Sequence, residues 1–192
     1  MDAKTRGVRR SLLAARRYGY WVRLKRTYDD DPVRGVLLAV EGELFLMLRG
    51  DSEGYLGFEV SHLDELKSVA KEPYERFYRR ALKLRGVRRP RTPLPPLDSI
   101  ESLLRWLEPR FDVVTVFWPQ THPDTCRIGK LIEVGPRAIE MQGINPDGSW
   151  DRWTSRLRVA HIRRVEWGSD PYVESLLLVG GPPPPLDPEL ED

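Results

Sequence analysis

The short run His122-Pro123-Asp124-Thr125-Cys126 sets an imidazole, a carboxylate and a thiol within five residues. Two chemistries use such groups. One is a zinc centre, which needs three or four protein ligands in tetrahedral reach. The other is a cysteine nucleophile activated by a neighbouring base. The first is short of ligands: His62 and His161 are the only other histidines, and Cys126 is the only cysteine. The second finds no third group to orient a His122–Cys126 pair. The segment reads instead as a turn between two strands, with Cys126 packing as a small apolar side chain. Asp30 falls at the matching place of an earlier segment, so the aspartate belongs to the turn. Asp64 and Glu65 stand beside Lys67 and read as solvated surface charge. There is no glycine-rich phosphate loop, no GxSxG and no HExxH. The sequence therefore predicts no catalytic residue, no metal and no cofactor, and a protein that is not an enzyme.

Basic residues offer a different chemistry. Residues 1–28 carry Lys4, Arg6, Arg9, Arg10, Arg16, Arg17, Arg23, Lys25 and Arg26 against Asp2 alone. Residues 76–92 carry Arg76, Arg79, Arg80, Lys83, Arg85, Arg88, Arg89 and Arg91 with no acid. On a helix, Arg76, Arg79, Arg80 and Lys83 would form one cationic stripe. Tyr18, Tyr20 and Trp21 lie among Arg16, Arg17 and Arg23, the interleaving of aromatic and basic groups that single-strand binders use. The candidate surface for nucleic acid or an acidic partner is thus Arg16, Arg17, Arg23, Lys25, Arg76, Arg79, Arg80, Lys83, Arg85, Arg88, Arg89 and Arg91. Acid gathers at Asp29-Asp30-Asp31 and after Asp187, and the net charge is only +2. A near-neutral total argues against a dedicated nucleic-acid binder and ranks a protein partner first.

At 192 residues, with 31% charged and 40% hydrophobic side chains, the chain reads as globular. A single cysteine excludes an intrachain disulfide framework and suits a reducing compartment. No apolar run approaches a membrane span, and the arginine-rich start lacks the apolar core of a secretory signal. A cytoplasmic location and no membrane partner are expected.

These residues have to be held by a repeated set of elements. Gly35-Val36-Leu37-Leu38-Ala39-Val40 lies over Gly129-Lys130-Leu131-Ile132-Glu133-Val134, 94 positions on. Phe45 and Met47 then fall on Ile139 and Met141, and Asp51–Gly54 on Asn145–Gly148. Period-2 alternation predicts strands over 18–28, 33–40, 43–48, 55–60 and 66–70, and again over 111–117, 125–134, 138–143, 153–159 and 162–167. Helical spacing predicts a short basic helix over 4–17, helices over 73–84 and 99–108 (the last capped by Asp98), and a further helix over 172–179. The boundaries read as a first unit over 1–86 with its basic N-terminal segment and C-terminal helix. A stiff proline linker follows over 87–97, then a helix and second unit over 98–180. Residues 181–192 form an acidic, proline-rich tail expected to be disordered.

A helix followed by five short strands resembles the Sm-like fold. The pattern is similar to a group of uncharacterised bacterial proteins with two tandem Sm-like domains. The residues that carry the likeness are Gly129–Val134, Ala138–Met141, Leu157–Val159 and Ile162–Glu166, with weaker counterparts over 35–69. The resemblance implies a mainly β fold with flanking helices, built as two tandem Sm-like or SH3-like five-stranded small barrels. The hairpin positions where RNA-binding Sm proteins carry an Asp-x-x-Asn signature read Val40–Glu43 and Val134–Arg137 here, which points away from Sm-type uridine binding.

The copies differ in one respect. Leu44, Leu46 and Leu48 make the third strand of the first copy apolar on its second face, and a strand apolar on both faces is normally covered on both. In the second copy, Val113 and Phe117 stand where the first shows Arg23 and Lys25. Leu44, Leu46, Leu48, Val113 and Phe117 are therefore the candidate inter-barrel or oligomer interface. The functional expectation is an adaptor, scaffold or neutralising partner, with RNA or single-strand binding through Arg76–Arg91 as the alternative and an unrecognised enzyme as a third, lower-ranked reading. Oligomeric state is left open. Replacing Leu46 by Glu is expected to lower stability by about 2 kcal/mol or more. Urea unfolding and sedimentation check this, and an unchanged midpoint and mass would refute a covered leucine face.

Overall fold

The computed structural model describes residues 3–29, 31–91, 93–118 and 126–186. The chain divides into two compact units, Met1–Asp98 and Ser99–Asp192. The first runs α1 (Ala3–Tyr18), β1 (Trp21–Arg26), β2 (Val33–Glu41), β3 (Leu44–Gly50), β4 (Tyr55–His62), a 3-10 turn (Leu63–Glu65), β5 (Leu66–Lys71) and α2 (Glu75–Leu84). The second repeats that order with α3 (Ile100–Leu107), β6 (Val114–Phe117), β7 (Cys126–Val134), β8 (Ala138–Ile144), β9 (Trp150–Arg158), a 3-10 turn (Val159–His161), β10 (Arg164–Trp167) and α4 (Pro171–Gly180). The fold is mainly β with flanking helices, as expected from the alternation.

Within each unit the strands are antiparallel, ordered β5-β1-β2-β3-β4 in the first and β10-β6-β7-β8-β9 in the second. Among the described residues neither set closes on itself: β5 does not pair with β4, nor β10 with β9. The expectation of closed barrels is corrected here to two open five-stranded sets. Short strands with one bulged member curve without bringing their outer strands into hydrogen-bonding distance.

The repeat is preserved in register. Val40 faces Phe45 and Leu37 faces Met47, while Val134 faces Ile139 and Leu131 faces Met141. Both second strands carry an irregularity at the same place, between Leu37 and Ala39 and between Leu131 and Glu133, leaving Leu38 and Ile132 out of the ladder. An extra residue bends the strand and sharpens its twist. Gly35 and Gly129 sit two pairs before that bend. A Cβ on Gly35 would be driven into the Leu48 carbonyl oxygen, and one on Gly129 into the Gln142 carbonyl oxygen. Only glycine lets the backbones approach so closely.

In the first unit, Val8, Leu12 and Ala15 of α1 close the core over Val22, Leu24, Leu37, Phe45 and Met47. The opposite face of β1 is covered as well: Trp21 packs with Val36 and with Leu82 of α2, its ring 5.5 Å from that of Tyr78. Arg26, one of the basic residues of the segment 1–28, is buried beside Glu59, with Nη2 donating to both carboxylate oxygens at 2.7 Å. In the second unit α3 packs against β7, burying Leu103, Leu104 and Leu107. Its N-cap is Ser99, whose Oγ accepts from the Ser102 amide at 3.0 Å, in place of the expected Asp98. Gln142 on β8 is buried and donates from Nε2 to the Asp151 carbonyl at 3.0 Å. In the turn before β9, Asp147 accepts from the Ser149 hydroxyl and amide, which lowers its carboxyl pKa below the ordinary value.

Gly35→Ala and Gly129→Ala should each destabilise by about 1–3 kcal/mol, since the clash is with backbone that cannot rotate away. Urea unfolding of the two variants measures this. A neutral result at either position would break the equivalence of the two second strands.

Candidate functional site

One cleft in the first unit gathers several of the predicted basic residues. It encloses about 1130 Å³ and is lined by Arg16 and Gly19 from the end of α1, by Val36, Leu37, Leu38 and Phe58 from β2 and β4, and by Arg88–Arg91 and Leu94. Each part is placed by a local cause. Gly19, with φ at +64°, reverses the chain after α1 and leaves Arg16 in the last helical turn. Leu38 reaches the cleft because the bulge takes it out of the ladder. Arg88–Arg91 follow α2 outside any helix or strand, with Pro90 fixing the backbone φ at its own position. Arg16, Arg88, Arg89 and Arg91 are exposed. None has an ion-pair or hydrogen-bond partner for its guanidinium among the described residues. Cationic groups thus rim an apolar floor.

The other predicted basic residues lie outside that rim. Arg76, Arg79, Arg80 and Lys83 are exposed on α2, with Arg85 at its C-cap. Arg79 is spoken for: its Nε bonds Glu75 at 2.8 Å and its Nη2 donates to the Gly19 carbonyl at 2.5 Å. That bond ties α2 to the turn that lines the cleft. Arg17 sits 5.7 Å from the centroid of the Tyr18 ring. Arg23 and Lys25 lie on β1 opposite Arg34 and Ser68, respectively. Tyr18, Tyr74 and Phe77 are 70%, 65% and 60% exposed, so aromatic faces do accompany the basic ones.

Of the candidate interface residues, Leu44, Leu46, Leu48 and Val113 are buried. Phe117 is half-buried, and its ring is occupied: Arg164, its partner on β10, places its guanidinium carbon 3.4 Å from the ring centroid. The same guanidinium reaches Glu166 at 3.2 Å. Sequence reading missed the apolar floor of the cleft, because Val36, Leu38 and Phe58 look like ordinary strand residues. It also missed Arg137, Arg156 and Arg158, which line a hollow of about 650 Å³ in the second unit. Arg156 and Arg158, two apart on a strand, were the signal available.

His122 and Asp124 lie outside the described residues. Among the described residues no group of three or more His, Cys, Asp and Glu side chains is placed to hold a metal ion. No helix there is long and apolar enough to cross a membrane. Cys126 begins β7 and is exposed. Desolvation by the atoms crowding its thiol nevertheless raises its pKa above the ordinary value, with Arg164 opposing and Glu166 adding to the rise. A raised thiol pKa means less thiolate near neutral pH, the reverse of what a nucleophile needs. Iodoacetamide near neutral pH should accordingly alkylate Cys126 more slowly than a free small-molecule thiol, despite its exposure. Mass spectrometry follows the rate, and faster alkylation would overturn this assignment. Compared with known protein families, curated proteins and solved structures, the chain matches none.

Proposed function

We propose that the protein is a cytoplasmic, non-enzymatic interaction protein built on two Sm-like units. In this reading, the cleft of the first unit takes an acidic segment of another protein that also carries apolar side chains. One observation carries it: Arg16, Arg88, Arg89 and Arg91 surround an aliphatic floor and have no partner for their charge among the described residues. Guanidinium groups bind carboxylates through paired, directed hydrogen bonds. Val36, Leu38 and Leu94 offer apolar contact beneath them, which a purely charged ligand would leave unused. The Sm-like assignment is supported by the shared strand order and by the matched bulges.

A second reading has its own observation. Exposed Tyr18, Tyr74 and Phe77 stand among Arg17, Arg76 and Arg80, and bases of a single strand stack on such rings. The two readings use different parts of the surface. Fluorescence anisotropy with a labelled Glu/Leu peptide and with an oligothymidylate separates them. Reversing charge at Arg16, Arg88 and Arg89 should weaken the peptide by about tenfold or more, because each exposed pair is worth under about 1 kcal/mol. The oligothymidylate should bind weakly and be indifferent to Tyr18→Ala and Phe77→Ala. Tight oligothymidylate binding lost in those two variants would replace the first reading by the second. Absence of both affinities at low salt would remove both.

A further inference from the structure

The second unit presents an unfinished sheet edge. Among the described residues β9 is hydrogen-bonded on one side only, to β8. Its pairing is regular from Thr154 to Arg158, where Thr154 faces Gln142 and Arg158 faces Ala138. Before that the register shifts, so residues 151–153 stand opposite Gly143 alone. Arg127 lies against Gly143 and holds Asp151 and Ser155, which pins the bulge in place. The regular stretch therefore keeps backbone amides and carbonyls pointing away from β8 at every second residue.

Arginine predominates at that edge. Arg156 and Arg158 are two apart, on one face of the strand, and Arg137 joins them from the turn between β7 and β8. With Pro136, Val159 and Ala160 they line the hollow of about 650 Å³, and no acid takes part in it. All three arginines are exposed, and none has an ion pair or side-chain hydrogen bond among the described residues. Glu133 and Glu140 share a neighbouring, smaller hollow of about 290 Å³ with Arg137 and Arg156, and Glu140 stands opposite Arg156 across the β8–β9 pair, its Oε2 accepting from the Thr154 hydroxyl at 3.4 Å.

A second copy of the chain fits this edge poorly. Two β9 strands side by side would set arginine against arginine, and β5, the end strand of the first unit, brings exposed Lys67 and Lys71. We propose that the β9 edge accepts an extended acidic segment of a partner protein as an added strand. Its backbone pairs with Thr154–Arg158, and alternate carboxylates lie against Arg137, Arg156 and Arg158. Backbone pairing supplies the affinity, while the three guanidiniums select charge and register. This site lies in a different unit from the cleft proposed above and neither depends on the other.

Amide hydrogen exchange of the full chain tests the proposal. The probes are an alternating Glu-Val peptide of about eight residues, long enough for one strand, and its Lys-Val counterpart. The Glu-Val peptide should slow exchange at residues 154–158 by about tenfold or more at saturation. Arg156→Gln with Arg158→Gln should abolish most of that slowing at the same peptide concentration. The cleft variant with Arg16, Arg88 and Arg89 reversed should keep it, which separates this site from the first. No slowing at 154–158, equal slowing by the Lys-Val peptide, or slowing that survives the double replacement would each overturn the proposal. So would the same protection from an oligothymidylate, which would assign the arginines to nucleic acid. Protection that grows with protein concentration alone would give the edge to a second copy.

Discussion

Each unit depends on one long strand that bends. β2 and β7 run nine residues each, and both are broken by an unpaired residue two positions before their last apolar contact with the following strand. A straight strand of that length would pair fully and stay flat. The bulge instead turns its second half, so that Leu37 and Val40 still point to the core beneath α1. Gly35 and Gly129 make the bend feasible, since the facing carbonyl occupies the space where any Cβ would stand. The displaced Leu38 then becomes part of the cleft floor. Architecture and candidate site thus share a single backbone constraint.

Arginine is used in two ways in this molecule, and burial separates them. Arg26 is enclosed and held by both oxygens of Glu59, because a guanidinium taken out of water without a carboxylate costs several kcal/mol. Arg164 is likewise nearly enclosed, resting on Phe117 and reaching Glu166. These are structural charges. Arg16, Arg88, Arg89 and Arg91 in the first unit, and Arg137, Arg156 and Arg158 in the second, are exposed, and their guanidiniums have no ion pair or hydrogen bond among the described residues. Water satisfies them at no cost, so nothing in folding requires their clustering. Their convergence on hollows with apolar walls is the observation on which the proposed partner rests. Cys126 lacks that quality, since burial of its thiol raises the pKa above the ordinary value.

Much of this was legible in the residues. Period-2 alternation located the ten strands, and the 94-residue offset located the matching glycines, methionines and turns. Local patterns were read less well where neighbours intervene. Asp98 has a cap-forming side chain, but Ser99 sits one residue nearer the first turn and takes the role. Trp21 alternates with Val22, yet both are buried, because α1 covers one face of β1 and α2 the other. The Sm-like resemblance implied barrels, but closure depends on how far each strand curls, which a repeat does not encode.

By itself the sequence determined the duplicated order of helices and strands, the two glycines that permit the bend, and the presence of surplus positive charge. Alternation and steric exclusion are local effects, and local effects are written in adjacent residues. Only the tertiary structure decided which arginines are buried, which meet at a cleft, and which strand keeps a free edge. Those outcomes rest on distances between residues far apart in the chain, such as Arg16 and Arg89, or Arg137 and Arg156. No spacing rule along one dimension contains them.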